Sequence, residues 1–416
     1  MTRVDAEVVV AGGGPAGAVA ARTLAKAGID TMLVDRASFP RNKPCGGGIT
    51  SRALVRLPWL EAALVNVDVH QIARLHLEGP HGTAVDLDSG DPCVLLVRRV
   101  EFDHALVVAA ETAGARRMHD FEMTQAEQSS DAVTLQSRDG KRLTARYVVA
   151  ADGVHSVIAK RLGVNARWPR TSLAIDMMEE TPIETLRPDR PDVLWVAYAH
   201  NGLDGYAYVF PKTRHTNVGV GCVLAHFDQA VSDAPYDLQS RFVSSMVDRA
   251  ILHGASDREC FTPFLIPVGG PLKSAWKGRV LFAGDAGGFV HALTAEGIYY
   301  AMVSGELAGM AIARAHGGAD PEAAGRAYER GWKAELGAEL RDAVVAQRYL
   351  FRNHARVARI VKSASGTSRL TRSILEYVRG DRSYAALRRR MLWSFPLSIW
   401  RMVSERSPSA PVGTSS

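Results

Sequence analysis

Between an apolar run, Val8 to Ala11, and a stretch rich in small residues lie Gly12, Gly13, Gly14, Pro15, Ala16 and Gly17, and nothing else in the 416 residues restricts the fold as much. In the spacing Gly12-x-Gly14-x-x-Gly17 the first glycine permits a tight turn, the second lets backbone approach a pyrophosphate, and the third lets a helix pack closely on a strand. The apolar run reads as a buried strand. Gly28 is placed to end the helix that follows, and Thr31 to Val34 reads as a second strand ending at Asp35. Asp35 stands eighteen positions after Gly17, where a carboxylate accepts both hydroxyls of a ribose. This β-α-β unit predicts a dinucleotide whose phosphates sit at the helix start, where unpaired N–H groups and the helix dipole favour negative charge.

The rest of the chain sets the organisation. A chain this long buries a full core and exceeds one simple domain. Hydrophobic residues at 47% and charged residues at 23% are ordinary for a folded enzyme. Cys45, Cys93, Cys222 and Cys260 are scattered without metal-ligand spacing, which argues against a metal site or a disulfide framework and fits a reducing cytoplasm. The first apolar run belongs to the glycine motif rather than to a secretory signal, and no run reaches the roughly 18 apolar residues of a membrane span. Val100 to Ala113 and Gly297 to Ala315 read as helices. The stretch from Ser172 to Val268 reads as mostly β, with strands at Trp195 to Ala199, Tyr206 to Phe210 and Val218 to Val223. The fold class expected is α/β: a Rossmann-like nucleotide-binding domain (1–65, 96–168 and 272–340), an inserted β-rich substrate domain (66–95 and 169–271), and a C-terminal helical region with a disordered tail (341–416).

Two further strand-end turns decide which dinucleotide. Val148 to Ser156, with Asp152 and Gly153, and Val280 to Gly287, with Gly284 and Asp285, resemble the signatures of the large flavoprotein family that includes aromatic hydroxylases, flavin halogenases and geranylgeranyl reductases. The resemblance implies non-covalent FAD. It also implies that Asp285 contacts the ribityl chain, and that Ala295, Glu296 and Gly297, with Ile298 beginning the helix, present N–H groups to the pyrimidine edge of the isoalloxazine. Reduced flavin carries negative charge near N1 and the C2 carbonyl, so donors at a helix start lower its energy. Arg36 after Asp35 completes the nucleotide side. Arg99 matches an arginine that the family places beside the cofactor; the other reading is a surface residue at a helix start.

Within that family two long stretches are similar to geranylgeranyl reductases. Phe39 to Gly48, containing Lys43, Pro44, Cys45, Gly46 and Gly47, resembles their Lys-Pro-Cys-Gly-Gly loop beside the flavin, and Gly287 to Met302 resembles their segment along the flavin edge. More loosely, Gly205 to Lys212 and Asn217 to Gly221 resemble the aromatic strand and glycine hairpin that line a lipid tunnel. Tyr206, Tyr208, Phe210, Gly219, Gly221 and His291 are therefore the substrate-side candidates, with packing in an ordinary core as the other reading of the two tyrosines. His291, Ala292 and Ala295 depart from the family's Asn, Pro and Gly, and Tyr208 stands where a Trp is usual. The reaction implied is hydride delivery from flavin N5 to a C=C bond of a prenyl or similar bulky apolar substrate. Cys45 is the catalytic candidate near the reacting carbon, or else a packed thiol inherited with its loop. The alternative is a monooxygenase or halogenase-like enzyme acting through a flavin hydroperoxide on a secondary metabolite, carrier-bound or peptide substrate. No second Gly-x-Gly-x-x-Gly unit follows a strand, so an external reductant such as NAD(P)H or ferredoxin is expected to dock transiently.

From Arg341 onward there are 15 Lys and Arg against 4 Asp and Glu, so the net charge of +6 is concentrated at the C-terminal end. Arg348, Arg352, Arg356 and Arg359 recur at helical spacing and read as one basic amphipathic helix. Arg388, Arg389 and Arg390 precede Met391, Leu392, Trp393, Phe395, Leu397, Ile399 and Trp400, a pattern suited to a lipid surface. Such a region serves either as a peripheral contact with the inner face of a membrane, as a docking face for an acidic partner, or as a helical cap with solvated arginines. No nucleic-acid motif accompanies it.

Overall fold

The computed structural model describes residues 3–364 and 369–394. Strand Ala6–Ala11, helix Pro15–Lys26 and strand Thr31–Val34 form the expected β-α-β unit at the centre of an eight-stranded sheet. In that sheet Ala6–Ala11 lies parallel to Thr31–Val34 on one side and to Arg142–Ala150 on the other, and Val280–Phe282 continues the parallel run. The register sets Val34, Ala11, Ala150 and Phe282 side by side at one edge. The loops that follow three of these strands, at 12–17, 151–153 and 283–287, therefore leave from the same carboxyl edge, which is where an α/β sheet binds its ligand.

Small residues let two helices meet over this edge. Helix Ile298–Ala315 crosses Pro15–Lys26 so closely that a Cβ on Gly305 would stand 2.1 Å from the carbonyl oxygen of Ala16, and one on Gly309 would stand 2.9 Å from Cβ of Thr23.

A second, seven-stranded sheet runs in the order Phe261–Pro267, Leu173–Pro182, His215–Val223, Gly205–Pro211, Val193–Tyr198, Arg74–Gly79, Thr83–Asp88. Alternation along its strands divides it into two faces. On one, Trp195, Val209 and Val220 pack against Phe242, Val243 and Met246 of helix Pro235–Asp248. The other carries Asp176, Met178, Tyr206, Tyr208 and Phe210 and meets the loops of the first sheet. The fold is the α/β flavoprotein class expected, with helices from Ala323–Glu335 to Tyr384–Ser394 at the C-terminal end.

Two expectations are corrected. The stretch read as mostly β also contains helices Leu224–Ala230 and Pro235–Asp248; Leu238, Phe242, Val243 and Met246 recur at helical spacing, a signal outweighed by the β-rich residues on either side. Arg348 lies on helix Gly337–Phe351, Arg356 and Arg359 lie on helix His354–Ser363, and Arg352 lies in the turn between them, because Asn353 breaks the run and caps the second helix by accepting a hydrogen bond from Ala355 N. Leu350, Phe351, Val357 and Val361 are buried against Ala199 and Tyr198, while Arg348, Arg352 and Arg359 face outward. Phe395, Leu397, Ile399, Trp400 and the tail from Ser404 lie outside the described residues. Among the described residues no helix is long and apolar enough to cross a membrane.

The helix crossing gives a direct test. Gly305→Ala places a methyl group on backbone rather than on a side chain that can move, so it is expected to destabilise the protein by about 2 kcal/mol in urea unfolding. Gly331→Ala, in the interior of helix Ala323–Glu335 with only the end of a Leu307 side chain at 3.6 Å, is the unclashed control and is expected to gain up to about 1 kcal/mol from helix propensity.

Candidate active site

The nucleotide end is built from backbone. Gly12 is left-handed at φ +106°, and a Cβ there would stand 2.3 Å from the carbonyl of Ala151; one on Gly17 would stand 1.8 Å from the carbonyl of Gly12. Both glycines are thus required for the turn to close. Gly14 caps the helix with no side chain, and Pro15 occupies its first turn, so the amides of Ala16 and Gly17 begin the helix. Asp35 accepts from Gly13 N at 2.6 Å and from Ala37 N at 2.9 Å, which fixes the carboxylate beside the glycine turn. Arg36 is exposed next to it. On the other side of the helix start, Gly284 is left-handed at φ +60° and touches Ala16, and its N–H donates to Ser304 Oγ. Asp285 reaches the start of the next helix, its Oδ1 lying 3.7 Å from where a Cβ of Gly297 would be.

Asp152 is turned into its own loop. Its Oδ2 accepts from Ile158 N at 3.2 Å, its Oδ1 is buried without a partner among the described residues, and burial raises its pKa. It shapes the turn that holds Gly153 at φ +83°.

The Cys45 loop is held by charges that the sequence does not advertise. Arg99 is buried and forms a two-pronged pair with Asp103 at 2.7 Å, and Asp103 also accepts from Arg41 at 2.8 Å. Burial works against the charge of Arg99, but the Asp103 carboxylate more than offsets it. Arg99 is therefore interior and in reach of the Cys45 thiol, rather than a surface residue. Arg41 lies near Gly14, 3.9 Å from where its Cβ would be, and places a cation at the helix start where phosphates are expected. Below the loop, Gly47 is left-handed at φ +72° and faces the buried Lys212, which pairs with Glu180. Asn217 donates to the carbonyl of Cys45.

The substrate-side candidates come together on one face of the second sheet. Phe210 lies against Gly46, Tyr208 stacks 4.4 Å from Phe210, and Tyr206 follows 6.0 Å beyond Tyr208. Gly219 is filled by the Tyr208 ring, since a Cβ there would stand 2.5 Å from it, whereas a Cβ on Gly221 would meet nothing nearer than 3.6 Å. A pocket opens over Gly221, bounded by Tyr206, Tyr208, Ala292, Leu293, Ala295 and Asp176. Tyr206 OH donates to Thr294 O at 2.6 Å and so closes the aromatic strand onto the loop at 291–296.

With this arrangement in place, comparison with known proteins is decisive. The model of the FAD binding domain family matches residues 5–334. Menaquinone reductase of Mycobacterium tuberculosis is 31% identical over 321 residues, 73% of this chain and 76% of the relative. Digeranylgeranylglycerophospholipid reductase of Methanosphaerula palustris is 30% identical over 352 residues, 80% and 82% of the two chains. The chain belongs to the FAD-dependent geranylgeranyl reductase family. It is an FAD-dependent oxidoreductase. The fold agrees: a geranylgeranyl bacteriochlorophyll reductase-like protein of Thermoplasma acidophilum superposes with a TM-score of 0.75 at 19% identity, over 94% of this chain and 99% of that one.

Against that family the departures at 291–295 acquire a physical meaning. Ala295 adopts φ +52°, the left-handed conformation that a glycine takes without strain, so the loop keeps a glycine's path at a cost of about 1 kcal/mol. His291 does not line the pocket. Its Nδ1 accepts from Thr294 N at 3.3 Å and Thr294 Oγ1 at 2.9 Å, and its ring stacks on Tyr300. Glu296 accepts from Thr50 N and Oγ1 and lies 3.7 Å from Arg52, tying this loop to the strand after Cys45. Arg52 in turn pairs with Glu339 at 3.2 Å and lies over the Tyr299 ring at 3.8 Å. Sequence reasoning passed over Arg41, Arg52, Glu180, Lys212 and Asp176, none of which sits in a recognisable spacing.

His291 yields a pH prediction for this member of the family. Burial, with the Arg52 charge adding to it, lowers its pKa to about 3 from an ordinary 6.5. The unfolded chain therefore binds the proton first, and stability is lost as pH falls from 6.5 towards 3, by at most about 1.4 kcal/mol per pH unit. His291→Gln is expected to flatten that part of the urea-midpoint-against-pH curve; an unchanged acid slope would mean that the ring is protonated in the folded state.

Proposed function

We propose that this chain reduces C=C bonds of a prenyl or similar bulky apolar substrate. The observation that carries the reading is the aromatic face: Tyr206, Tyr208 and Phe210 run from the pocket over Gly221 to the Cys45 loop, a course along which an apolar chain would be led towards the cofactor segments. The names of the relatives, reductases of menaquinone and of digeranylgeranylglycerophospholipid, support the same substrate class.

Residues at the carboxyl edge have a donor set that suits FAD: the amides at the start of helix Pro15–Lys26 are uncapped by any side chain, and around Gly14 the nearest atom to a Cβ would be the Arg41 guanidinium at 3.9 Å. Gly12, Gly14, Pro15, Ala16 and Gly17 would hold the pyrophosphate with Arg41 beside them, and Asp35 the ribose. Asp285 would take the ribityl hydroxyls, and the backbone at 295–298 would offer its N–H groups to the flavin edge. Bound FAD supplies a hydride to the substrate. Cys45, with Gly46 and Gly47 beside it, would bound the reacting end of the substrate site, and its loop is held through Arg41, which shares Asp103 with Arg99. An external reductant such as NAD(P)H or ferredoxin would dock transiently. The outward-facing Arg348, Arg352 and Arg359 offer a contact for anionic lipid headgroups, through which a membrane-held substrate would be reached.

The test is anaerobic. Purified protein is reduced with dithionite and mixed with geranylgeranyl-bearing lipid while flavin absorbance and product mass are followed. Reoxidation with a mass gain of about 2 Da per reduced double bond is expected. Flavin that stays reduced until oxygen is admitted, with oxygen then consumed and a secondary metabolite or peptide oxidised, would replace the reading with the monooxygenase one. Asp285→Ala is expected to be purified with little flavin; full occupancy in that variant would displace Asp285 from the ribityl site.

A further inference from the structure

A C=C bond that accepts a hydride at one carbon needs a proton at the other, and a proton donor must be an acid in its protonated form inside the apolar slot. Asp176 lies on strand Leu173–Pro182, directly across the ladder from Gly221, which in turn faces Tyr206 on the next strand. Gly221 puts no side chain between them: a Cβ there would meet Ile175 O at 3.6 Å and Asp176 Oδ1 at 3.7 Å, and Asp176 and Tyr206 both line the pocket. The two oxygens of Asp176 are not equivalent. Oδ2 accepts from Tyr208 OH at 3.1 Å, while Oδ1 is buried with no partner among the described residues and lies 3.7 Å from where a Cβ of Gly221 would be, at the pocket floor.

We propose that Asp176 is the acid that protonates the substrate double bond, giving up the proton on Oδ1 while Tyr208 holds Oδ2. This rests on the prenyl reductase reading above. In the balanced step the C=C π pair forms a C–H bond with the Asp176 proton, the hydride from the reduced cofactor forms the other C–H bond, and Asp176 is left as a carboxylate. Solvent then reprotonates it. Tyr208 stabilises that carboxylate through the hydrogen bond it already donates.

The surroundings favour an acid rather than a structural carboxylate. None of the residues lining the pocket is a lysine or arginine, so no cation there holds Asp176 ionised. The titratable groups that line the pocket with it are Cys222 on the adjacent strand, Tyr206 and Tyr208 one strand further, and Asp204 at the rim; the helix Gly337–Phe351 contributes only neutral Gln347 and Phe351, and on the other side Phe264 stands across the ladder from Asp176 with Lys43 5.6 Å from its ring centroid. Burial raises the carboxyl pKa to about 7, against the opposing pull of the Tyr208 hydrogen bond. The group is thus protonated below pH 7 and becomes deprotonated above it.

The experiment uses FAD-loaded protein reduced with dithionite and mixed anaerobically with geranylgeranyl-bearing lipid, at pH values on either side of 7. Wild-type reoxidation is expected to be level at low pH and to fall above about 7. Asp176→Asn is expected to keep its flavin and its reduction by dithionite, to reoxidise roughly 100- to 10,000-fold more slowly, and to lose the pH break. A second readout needs no turnover: infrared difference spectra of the substrate-free protein should show a protonated-carboxyl band that titrates near pH 7 and is absent in Asp176→Asn. Tyr208→Phe, which leaves the acid in place, should move both the band and the break to higher pH by removing the bond that favours the carboxylate. If the wild type does not reoxidise with lipid, the reductase reading itself fails. If the wild type turns over but Asp176→Asn matches it, or the band does not titrate, or Tyr208→Phe leaves band and break unmoved, the assignment of Asp176 fails alone. A rate lost in Cys45→Ala but not in Asp176→Asn would give the proton to the thiol.

Discussion

Close approach without side chains is the constraint on which the rest of the molecule depends. Around Ala16, Gly12 lies on the carbonyl of Ala151, Gly17 on that of Gly12, Gly284 on the methyl group of Ala16, and Gly305 on its carbonyl. These contacts draw together segments that are hundreds of residues apart in sequence, and each would be forced open by one methyl group. Because the strands behind them are parallel and in register, the same packing brings three loops to one edge and leaves the amides at the start of helix Pro15–Lys26 uncapped by any side chain. Nucleotide binding is in this sense a consequence of the packing.

The loops that leave this edge are fixed by buried ion pairs. Arg99 and Arg41 share Asp103, Arg52 joins Glu296 to Glu339, and Lys212 and Arg98 share Glu180. Buried pairs of this kind add little net stability once desolvation is counted, but losing one partner strands a charge. Their effect is to specify arrangement. The Cys45 loop, the loop at 291–296 and the C-terminal helices are each locked to a distant element, so the aromatic face and the nucleotide edge hold a fixed relation across the interface between two sheets.

The parts legible in the sequence were those written as local patterns. The glycine turn, Asp35 and the strands around Tyr206 and Val218 each announce themselves within a dozen residues, and the structure places them as read. The helix Pro235–Asp248 was missed because its apolar spacing lies inside a β-rich stretch, where strand propensity around it masks a helical period. The single basic helix expected over Arg348 to Arg359 was divided by Asn353, a capping residue whose effect depends on the turn it begins. The charged network was illegible for a different reason: Arg52 and Glu339 are 287 residues apart, and nothing in the spacing of either says that they will be buried together. The position of Arg99 was legible, but its environment was not, because Asp103 reads as an ordinary helix-surface carboxylate until Arg41 arrives from another segment.

Asp176 and Glu180 make the same point within one strand. They stand four residues apart on one face of Leu173–Pro182, and both are carboxylates taken out of water. Burial raises the pKa of each. At Glu180 the charges of Lys212 and Arg98 reverse that rise and leave it below the ordinary range; at Asp176 a tyrosine hydroxyl is the only opposing influence, and the rise survives. The sequence distinguishes the two only by what stands across the ladder from each, Asn217 opposite Glu180 and Gly221 opposite Asp176. Glu180 lies at the end of the strand that holds the Cys45 loop, where a fixed charge can anchor a structure. At the other end burial lifts the Asp176 carboxyl to about 7 with no lysine or arginine lining the pocket beside it, and an acid raised in this way is the kind that can act as a proton donor.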